Sequence, residues 1–377
     1  MPLQISFINN ISDIAAQWPT LVGHTSPFTR LEFLQALEQQ GCVGGDSGWT
    51  PKHIVIRDQD QLIGFIPGYQ KSHSYGEYIF DWAWAEAYQR HGLDYYPKWI
   101  AAIPFTPVPS NKLLTTKALS PSLQRELIEA IITFINEQRY PSVHWLYTAE
   151  DFNNELVDFG YCKRRSVQFH WFNRDYQSFE HFLEHCTSRK RKNIKRERQK
   201  VADAGVEVKS LVAKQINPQD LLVFYQCYQQ TYLKRSGHGG YLTFEFFQQL
   251  LADMPENLLL VLAYQQDTAI AAALFLHDEN SLYGRYWGAL TEVDGLHFEC
   301  CLYQGIDFCI RNKLTTFNPG TQGEHKISRG FEPVWCYSSH QLRDDIFHQA
   351  VQRFVVEETQ QLEQYKLRAQ ELLPFKS

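Results

Sequence analysis

Apolar and polar positions alternate along the first half of the chain in short blocks. QISFI predicts an opening strand, and FTRLEFLQALEQQ a helical stretch. KHIVIRD and QLIGFIPGYQK are β-rich runs joined by a polar turn at Asp58–Gln61, which predicts an antiparallel hairpin. The three prolines of AAIPFTPVPS predict a fixed loop, PSLQRELIEAIITFINEQ predicts a helix over about 121–138 with Pro121 in its first turn, and VHWLYT at 143–148 predicts a strand. The second half repeats this grammar. VQFHWF is strand-like, helices are expected over roughly 177–203, and VEVKSL follows as a strand. Helices near 218–234 and 243–253 precede three consecutive strands, LLLVLAY, AIAAALFLH and SLYGRYWGAL, split by polar turns at Gln265–Thr268 and Asp278–Asn280. A helix at about 296–312, the strand TTFNPG and an amphipathic helix from about 345 complete the chain. The pattern is α/β, and its double appearance points to duplicated domains.

One stretch obeys neither rhythm. KSHSYGEYIFDWAWAEAYQRHGLDYYPK, residues 71–98, mixes rings with Glu77, Asp81, Glu86, Arg90 and Asp94, which marks a candidate ligand wall. If IFDWAW is extended, Phe80, Trp82 and Trp84 share one face and Asp81 projects from the other into a cleft. Glu86 and Arg90 can pair at i,i+4 if the segment turns helical, which leaves His91 and Asp94 near the helix end. A carboxylate set in an aromatic wall suits a substrate amine. Asp81 is therefore a catalytic candidate, and Tyr75, Arg90 and His91 are substrate-binding candidates; the plainer alternative is a packed core under a salt-bridged lid.

Composition sharpens this picture at a few points. A chain of 377 residues with 44% apolar and 21% charged residues is folded and long enough for two cores. The aromatic share of 14% is high, as in proteins whose rings line pockets as well as cores. Neither a signal peptide nor a long uncharged apolar run is visible, so a cytoplasmic protein without a transmembrane segment is expected. The eight cysteines lack CxxC spacing and are expected to be buried thiols. No metal is expected either, because HExxH is absent and the HFE at 297–299 lacks a following PCxxC.

Net charge is −6, yet RKRKNIKRERQK at 189–200 holds eight basic residues and one acid. On a helix Arg189, Lys192, Arg196 and Lys200 lie along one side. Three explanations stand: a solvated face, a site for tRNA or another polyanion, and a membrane surface.

The second half also carries groups suited to proton transfer and to binding an anion. No GxSxG or other nucleophile motif occurs. His297 and Glu299 open the 296–312 helix, where Glu299 would stay ionised and free N–H groups could meet a donor phosphate. Two positions apart, they point to different sides, so one of them and not both is the catalytic candidate. Arg285 and Trp287 share a face of their strand and are substrate-binding candidates, with Tyr286 on the other. The glycine-bearing loop NPGTQGEHKISRG at 318–330 brings Glu324, His325, Lys326 and Arg329 as candidates for donor or phosphate binding.

SRKRKNIKRERQKVADAGVEV at 188–208 and LYGRYWGALTEVDGLHFECCLYQGIDFCIRNKLTTFNPGTQGEHKISRGFEP at 282–333 resemble Fem-type peptidoglycan peptidyltransferases. With the KSHSYGEYIFDWAWA and PFTPV segments, nearly the whole chain resembles the FemAB-like predicted N-acyltransferases. That resemblance implies two GNAT-like α/β domains with mixed, largely antiparallel sheets flanked by helices. They are expected at 1–165, on the acceptor side, and 166–345, on the donor side, with a terminal amphipathic helix at 346–377. It implies an N-acyltransferase using an acyl-CoA or other thioester, or else an aminoacyl-tRNA, as co-substrate, with no tightly bound cofactor. The acceptor would be a small-molecule or cell-wall-precursor amine, with tRNA as a partner and DNA not. The phosphate-binding lysine of the Fem-type loop would correspond to Lys326. TEVDGLHFE departs from the CoA-binding pattern, since it offers a single glycine before the helix. A fold that only binds a polyanion is the non-enzymatic alternative.

Overall fold

His53–Asp58 and Gln61–Ile66 pair antiparallel across the expected turn, where Gln59 takes a φ of 55°. In the computed structural model, which describes residues 3–21, 26–116, 119–321 and 323–376, Gln4–Ile8 and Leu114–Thr115 extend this hairpin into a four-stranded antiparallel sheet. Pro67 ends the hairpin strand, and Gly68–Lys71 joins other strands instead. It lies between Trp49–Pro51 and Lys98–Ala101, followed by Ser142–Thr148 and the end of Glu332–Leu342. Of these pairings, Lys98–Ala101 with Ser142–Thr148 is parallel.

The helix Pro121–Glu137 covers the hairpin. Ser120 caps it by accepting from the Leu123 N–H, and Pro121 supplies a preset φ. Leu127, Ile128, Ile131, Ile132 and Ile135 form its buried stripe against Ile54, Ile56, Ile66, Trp99 and Trp145. Each such side chain contributes about 1.5–3 kcal/mol by leaving water.

The chain divides into two compact units, residues 1–166 with 335–364 and residues 167–334 with 365–377. The division is therefore not contiguous in sequence: Glu332–Leu342 and the helix Asp345–Glu371 each pass from one unit into the other. The polar run Ser338, Ser339 and His340 hides the strand Glu332–Leu342 from a pattern reading, yet all three residues are buried.

In the second unit the meander forms as expected. Val206–Val212, Leu258–Gln265, Thr268–His277 and Ser281–Ala289 are successive antiparallel neighbours. Thr316–Asn318 then pairs parallel with Ser281–Ala289 and antiparallel with the end of Cys162–Phe172. The inner strands Leu258–Gln265 and Thr268–His277 are buried along most of their length, because helices cover both faces. The helix Pro218–Ser236 approaches so closely that a Cβ on Gly288 would lie 1.8 Å from the Cys227 carbonyl oxygen. Gly288→Ala is expected to lower stability by about 3 kcal/mol, because backbone must move to admit the methyl, and urea unfolding measures the loss.

Two irregularities shape this unit. A β-bulge between Leu274 and Phe275 pairs them with Tyr286 and Gly284, making Arg285 the inserted residue. The expected alternation of Arg285, Tyr286 and Trp287 is interrupted there. Trp287 packs on the main core, while Tyr286 meets Phe224, Tyr228 and Phe247. The 296–312 helix contains a π-helical turn, Glu299–Tyr303, between Leu296–Phe298 and Gln304–Asn312. Such turns are frequent at functional sites. No described helix is long and apolar enough to cross a membrane. All eight cysteines are free thiols, and all but Cys301 are buried.

Candidate active site

In the first unit the aromatic segment is helical where an extended strand was expected. Trp82–Arg90 forms a helix whose buried residues, Trp84 and Tyr88, are one turn apart, and Asp81 stands at its N-cap. Burial of these two rings against Tyr95, Cys162, Leu342, Val351 and Val355 selects the helix over the strand. Asp81 accordingly turns inward. Its Oδ2 accepts from Lys98 Nζ at 2.5 Å and from the Tyr95 hydroxyl at 2.7 Å. Lys98, fully buried, also donates to Glu77 Oε2 at 2.8 Å and Ser74 Oγ at 2.7 Å. Burial alone would raise the Asp81 pKa, but Lys98 and His144 hold the carboxyl well below its usual range. Glu77 goes the other way, pushed up to about 7 by burial against the pull of Lys98.

The network continues through histidines. Tyr95 OH lies 3.3 Å from His144 Nε2, and His144 Nδ1 lies 2.6 Å from His340 Nδ1, so one of these nitrogens donates to the other. Burial drives the His144 pKa down to about 3 and lowers that of His340 too, so both rings are neutral at pH 7. Tyr75, Phe80 and Trp82 stay outside at 56%, 66% and 39% exposure, and the Tyr75 and Trp82 rings are 4.8 Å apart. Arg90 pairs with Glu86 at 2.5 Å as the spacing implied, and His91 Nδ1 lies 2.8 Å from the Ala87 carbonyl oxygen. Arg90 and His91 thus lie on the exposed helix end, apart from the buried Asp81 network. Of the network's members, sequence reasoning named Asp81 as a candidate and missed Lys98, Ser74, His144 and His340. A lone lysine in the otherwise apolar run KWIAAI was the one available signal.

In the second unit His297 and Glu299 diverge. Both Glu299 oxygens accept from Arg198, from Nε and Nη2 at 3.0 Å each, and Gln304 donates to Oε1 at 2.8 Å. Glu299 is therefore a buried ion-pair partner instead of a free base. The His297 ring makes no hydrogen bond among the described residues and lies against Trp287 and His325, with ring centroids 5.5 and 5.6 Å away. Burial, reinforced by His325, Lys326, Arg235 and Arg329, drives its pKa down to about 4. The backbone N–H groups expected to receive a phosphate are mostly taken: Leu296 donates to Val293, and Phe298 and Glu299 donate to Gly295.

The 318–330 loop, in which Gln322 lies outside the described residues, is built around two cations. Lys326 Nζ donates to the Gly320 carbonyl at 2.7 Å and faces that of Pro319 at 3.4 Å. Its amine is buried, which lowers the pKa to about 7. Arg329, expected to contact phosphate, is occupied: it donates to both Glu197 oxygens at 3.0 and 2.6 Å and to the His325 carbonyl at 2.6 Å, and it stacks 3.5 Å from the Phe298 ring centroid. Tyr303 completes this cluster by donating to Glu197. Arg329 therefore fixes the backbone that carries His325 and Lys326. The His325 Nε2 is buried without a hydrogen-bond partner, and Glu324 at the surface accepts from Tyr365 at 2.9 Å.

Among the described residues no group of three or more His, Cys, Asp or Glu could hold a metal ion. Of the basic strip, Lys195 pairs with Glu180, Arg198 with Glu299, and Lys200 with Asp294, while Arg189, Lys192 and Arg196 are exposed.

Known proteins resemble this architecture across most of its length. The C-terminal domain of a proposed lysylphosphatidylglycerol synthetase from Agrobacterium fabrum matches with a TM-score of 0.53 at 9% identity, over 90% of this chain and 95% of that one. FemX matches at 0.51 and 10% identity, over 93% and 100% of the two chains. L-PGS from Bacillus licheniformis matches at 0.50 and 11% identity, over 86% and 96%. At such identities the likeness concerns the fold alone: a mixed α/β architecture of largely antiparallel sheets. No curated protein matches the sequence. The profile of the FemAB-like family, described as peptidoglycan biosynthesis/recognition, matches residues 8–377, and the chain belongs to that family.

Proposed function

We propose that the protein is an N-acyltransferase in which an amine attacks an activated acyl donor directly, without a covalent enzyme intermediate. The observation that carries this reading is the second unit's cluster of His297, Trp287, His325 and Lys326. It places a neutral imidazole and a buried hydrogen-bond donor in one partly buried cluster. The acceptor nitrogen bonds to the acyl carbon, and the C–S or C–O bond of the donor breaks. His297 takes the proton shed by nitrogen and returns it to the leaving sulfur or oxygen. Lys326, anchored by two carbonyls, retains a donor for the developing oxyanion or a donor phosphate. Glu299 acts at one remove, fixing Arg198 and the π-helical turn. Trp287, within this cluster, and Arg285, inserted at the bulge of the same strand, are the proposed substrate-binding residues.

In the first unit, the exposed rings of Tyr75 and Trp82, with Arg90 and His91 at the outer helix end, offer a separate surface for an apolar or sugar group. Asp81, already ionised and bound by Lys98, holds the start of that helix and is not a proton acceptor. The donor is a thioester such as acyl-CoA or an aminoacyl-tRNA ester. The acidic Glu292 and Asp294 and the internally bonded N–H groups at the start of the 296–312 helix argue against a pyrophosphate seated there.

The test is amide formation, followed by mass spectrometry, with both donor classes and a panel of amines. One donor class is expected to support turnover, and Lys326→Met is expected to lower the rate about 10²–10³-fold. A folded protein that forms no amide with either donor class would overturn the proposal, as would full activity in Lys326→Met.

A further inference from the structure

The helix Ser188–Asp203 collects cations that the fold itself does not use. Arg189, Lys190, Arg191 and Lys192 make no side-chain hydrogen bond or ion pair among the described residues, and Arg196 meets Asp294 only from beyond pairing distance. Three of them crowd the helix start, which has no acidic residue and no side-chain cap. Positive charge at that end opposes the helix dipole and costs about 0.3–1 kcal/mol per residue. The buried residues Ile194 and Val201 define the inward side, and Arg189, Lys192 and Arg196 lie on the opposite one.

The end of the chain lies beside this start. Thr187 N donates to the Pro374 carbonyl at 2.8 Å, Lys376 N donates to that of His185 at 3.0 Å, and Phe375 bridges to Cys186. Arg191 and Lys376 both act electrostatically on the Cys186 thiol. The same terminal segment exposes Leu367 and Leu372 at 55% and 60%, with Arg368 and Lys376 also exposed. Among the described residues of the second unit, the large exposed apolar side chains are all leucines: Leu233, Leu290, Leu367 and Leu372.

We infer that this face, formed by the start of the Ser188–Asp203 helix and the 366–376 segment, docks the protein on an anionic lipid bilayer. Clustered Lys and Arg are drawn to acidic headgroups, and leucines projecting beside them enter the boundary with the acyl chains. Single-stranded nucleic acid would use the same cations but would look for exposed aromatic rings to stack on its bases, and folded nucleic acid would leave the leucines without a partner. The inference does not depend on the acyltransferase proposal.

Co-sedimentation of the full-length protein with vesicles tests it. Binding is expected to vesicles of phosphatidylcholine mixed with phosphatidylglycerol, not to phosphatidylcholine alone, and to weaken as salt rises. Each neutralised cation is expected to lower affinity about fivefold, so combining Arg189→Gln, Lys192→Gln and Arg196→Gln lowers it about a hundredfold. Leu372→Ser is expected to lower vesicle affinity about tenfold and to leave any binding of bulk tRNA unchanged. Thermal melts of each variant establish that it is folded. Binding to tRNA with no binding to mixed vesicles would overturn the inference in favour of nucleic acid. Binding to neither would reduce the face to a solvated helix, and indifference of vesicle binding to Leu372→Ser would remove the apolar contact.

Discussion

Lys98→Met is expected to destabilise the protein by about 3–5 kcal/mol at pH 7, the usual consequence of removing one partner from a buried ion pair. The side chain is fully buried, and its ammonium satisfies Ser74, Glu77 and Asp81 together. Without it two carboxylates remain in a dry interior, where Glu77 Oε1 and Asp81 Oδ1 already lack partners. The pH dependence identifies the cause. In the native protein the pKa of Asp81 is depressed, so its contribution is present above the unfolded carboxylate value near 3.9 and disappears as pH falls through the lower folded value. The pKa of Lys98 is raised, and its contribution is present at neutral pH and lost only as pH rises through that folded value. Glu77, at about 7, opposes both: its stabilising effect is complete below the unfolded value near 4.3 and declines as pH rises toward 7. In the variant Asp81 is expected to join Glu77 in this behaviour, since burial is the largest influence on it and its main opponent, Lys98, is gone, leaving His144, Ser74 and Lys71 as the weaker counterweights. The difference in stability between the two proteins is therefore expected to be largest near pH 7 and to shrink toward pH 4–5. Urea unfolding at both values measures it; an equal loss at both would mean that packing, and not charge, is what Lys98 supplies.

The same network shows where pattern reading stops. WAWA is compatible with a strand or a helix, because alternation places Trp82 and Trp84 together in one and a turn places Trp84 and Tyr88 together in the other. The decision rests on which rings are buried, and Trp84 and Tyr88 are, against residues as distant as Val355. Asp81 and Lys98 stand 17 positions apart, Arg198 and Glu299 101, and Glu197 and Arg329 132. No local rhythm connects such pairs. The meander of the second unit was legible for the opposite reason: continuous apolar runs broken by short polar turns fold by pairing with their neighbours. The helix Pro121–Glu137 was legible because its cap, its proline and its stripe all lie within it. Candidate residues could thus be named by chemical type, but whether a carboxylate is free or held depended on contacts the sequence does not display. Glu299 and Arg329 are held, which leaves His297 and Lys326 as the groups with capacity to spare.

His297→Gln is expected to reduce turnover about 10²–10⁴-fold with little change in KM, the effect of removing a proton acceptor that acts during the reaction and not in binding. Glutamine keeps approximate size and polarity at a position packed on Trp287, so stability is expected to change little. A base with a pKa of about 4 cannot strip an alkylammonium whose pKa is near 10, since about six units correspond to about 8 kcal/mol. It can relieve the nitrogen only after that nitrogen has bonded to the acyl carbon and become strongly acidic. In the proposed mechanism the acceptor must therefore arrive uncharged, and kcat/KM is expected to rise with pH until the free amine itself is deprotonated. No decline is expected between pH 7 and 5 from protonation of His297, because the ring stays neutral across that window. A pH–rate profile of the native enzyme, corrected for amine ionisation, measures this directly. An additional acidic limb near pH 6.5 that vanishes in His297→Gln would show an imidazole with its ordinary pKa, and activity within a few-fold of native would remove His297 from the proton's path.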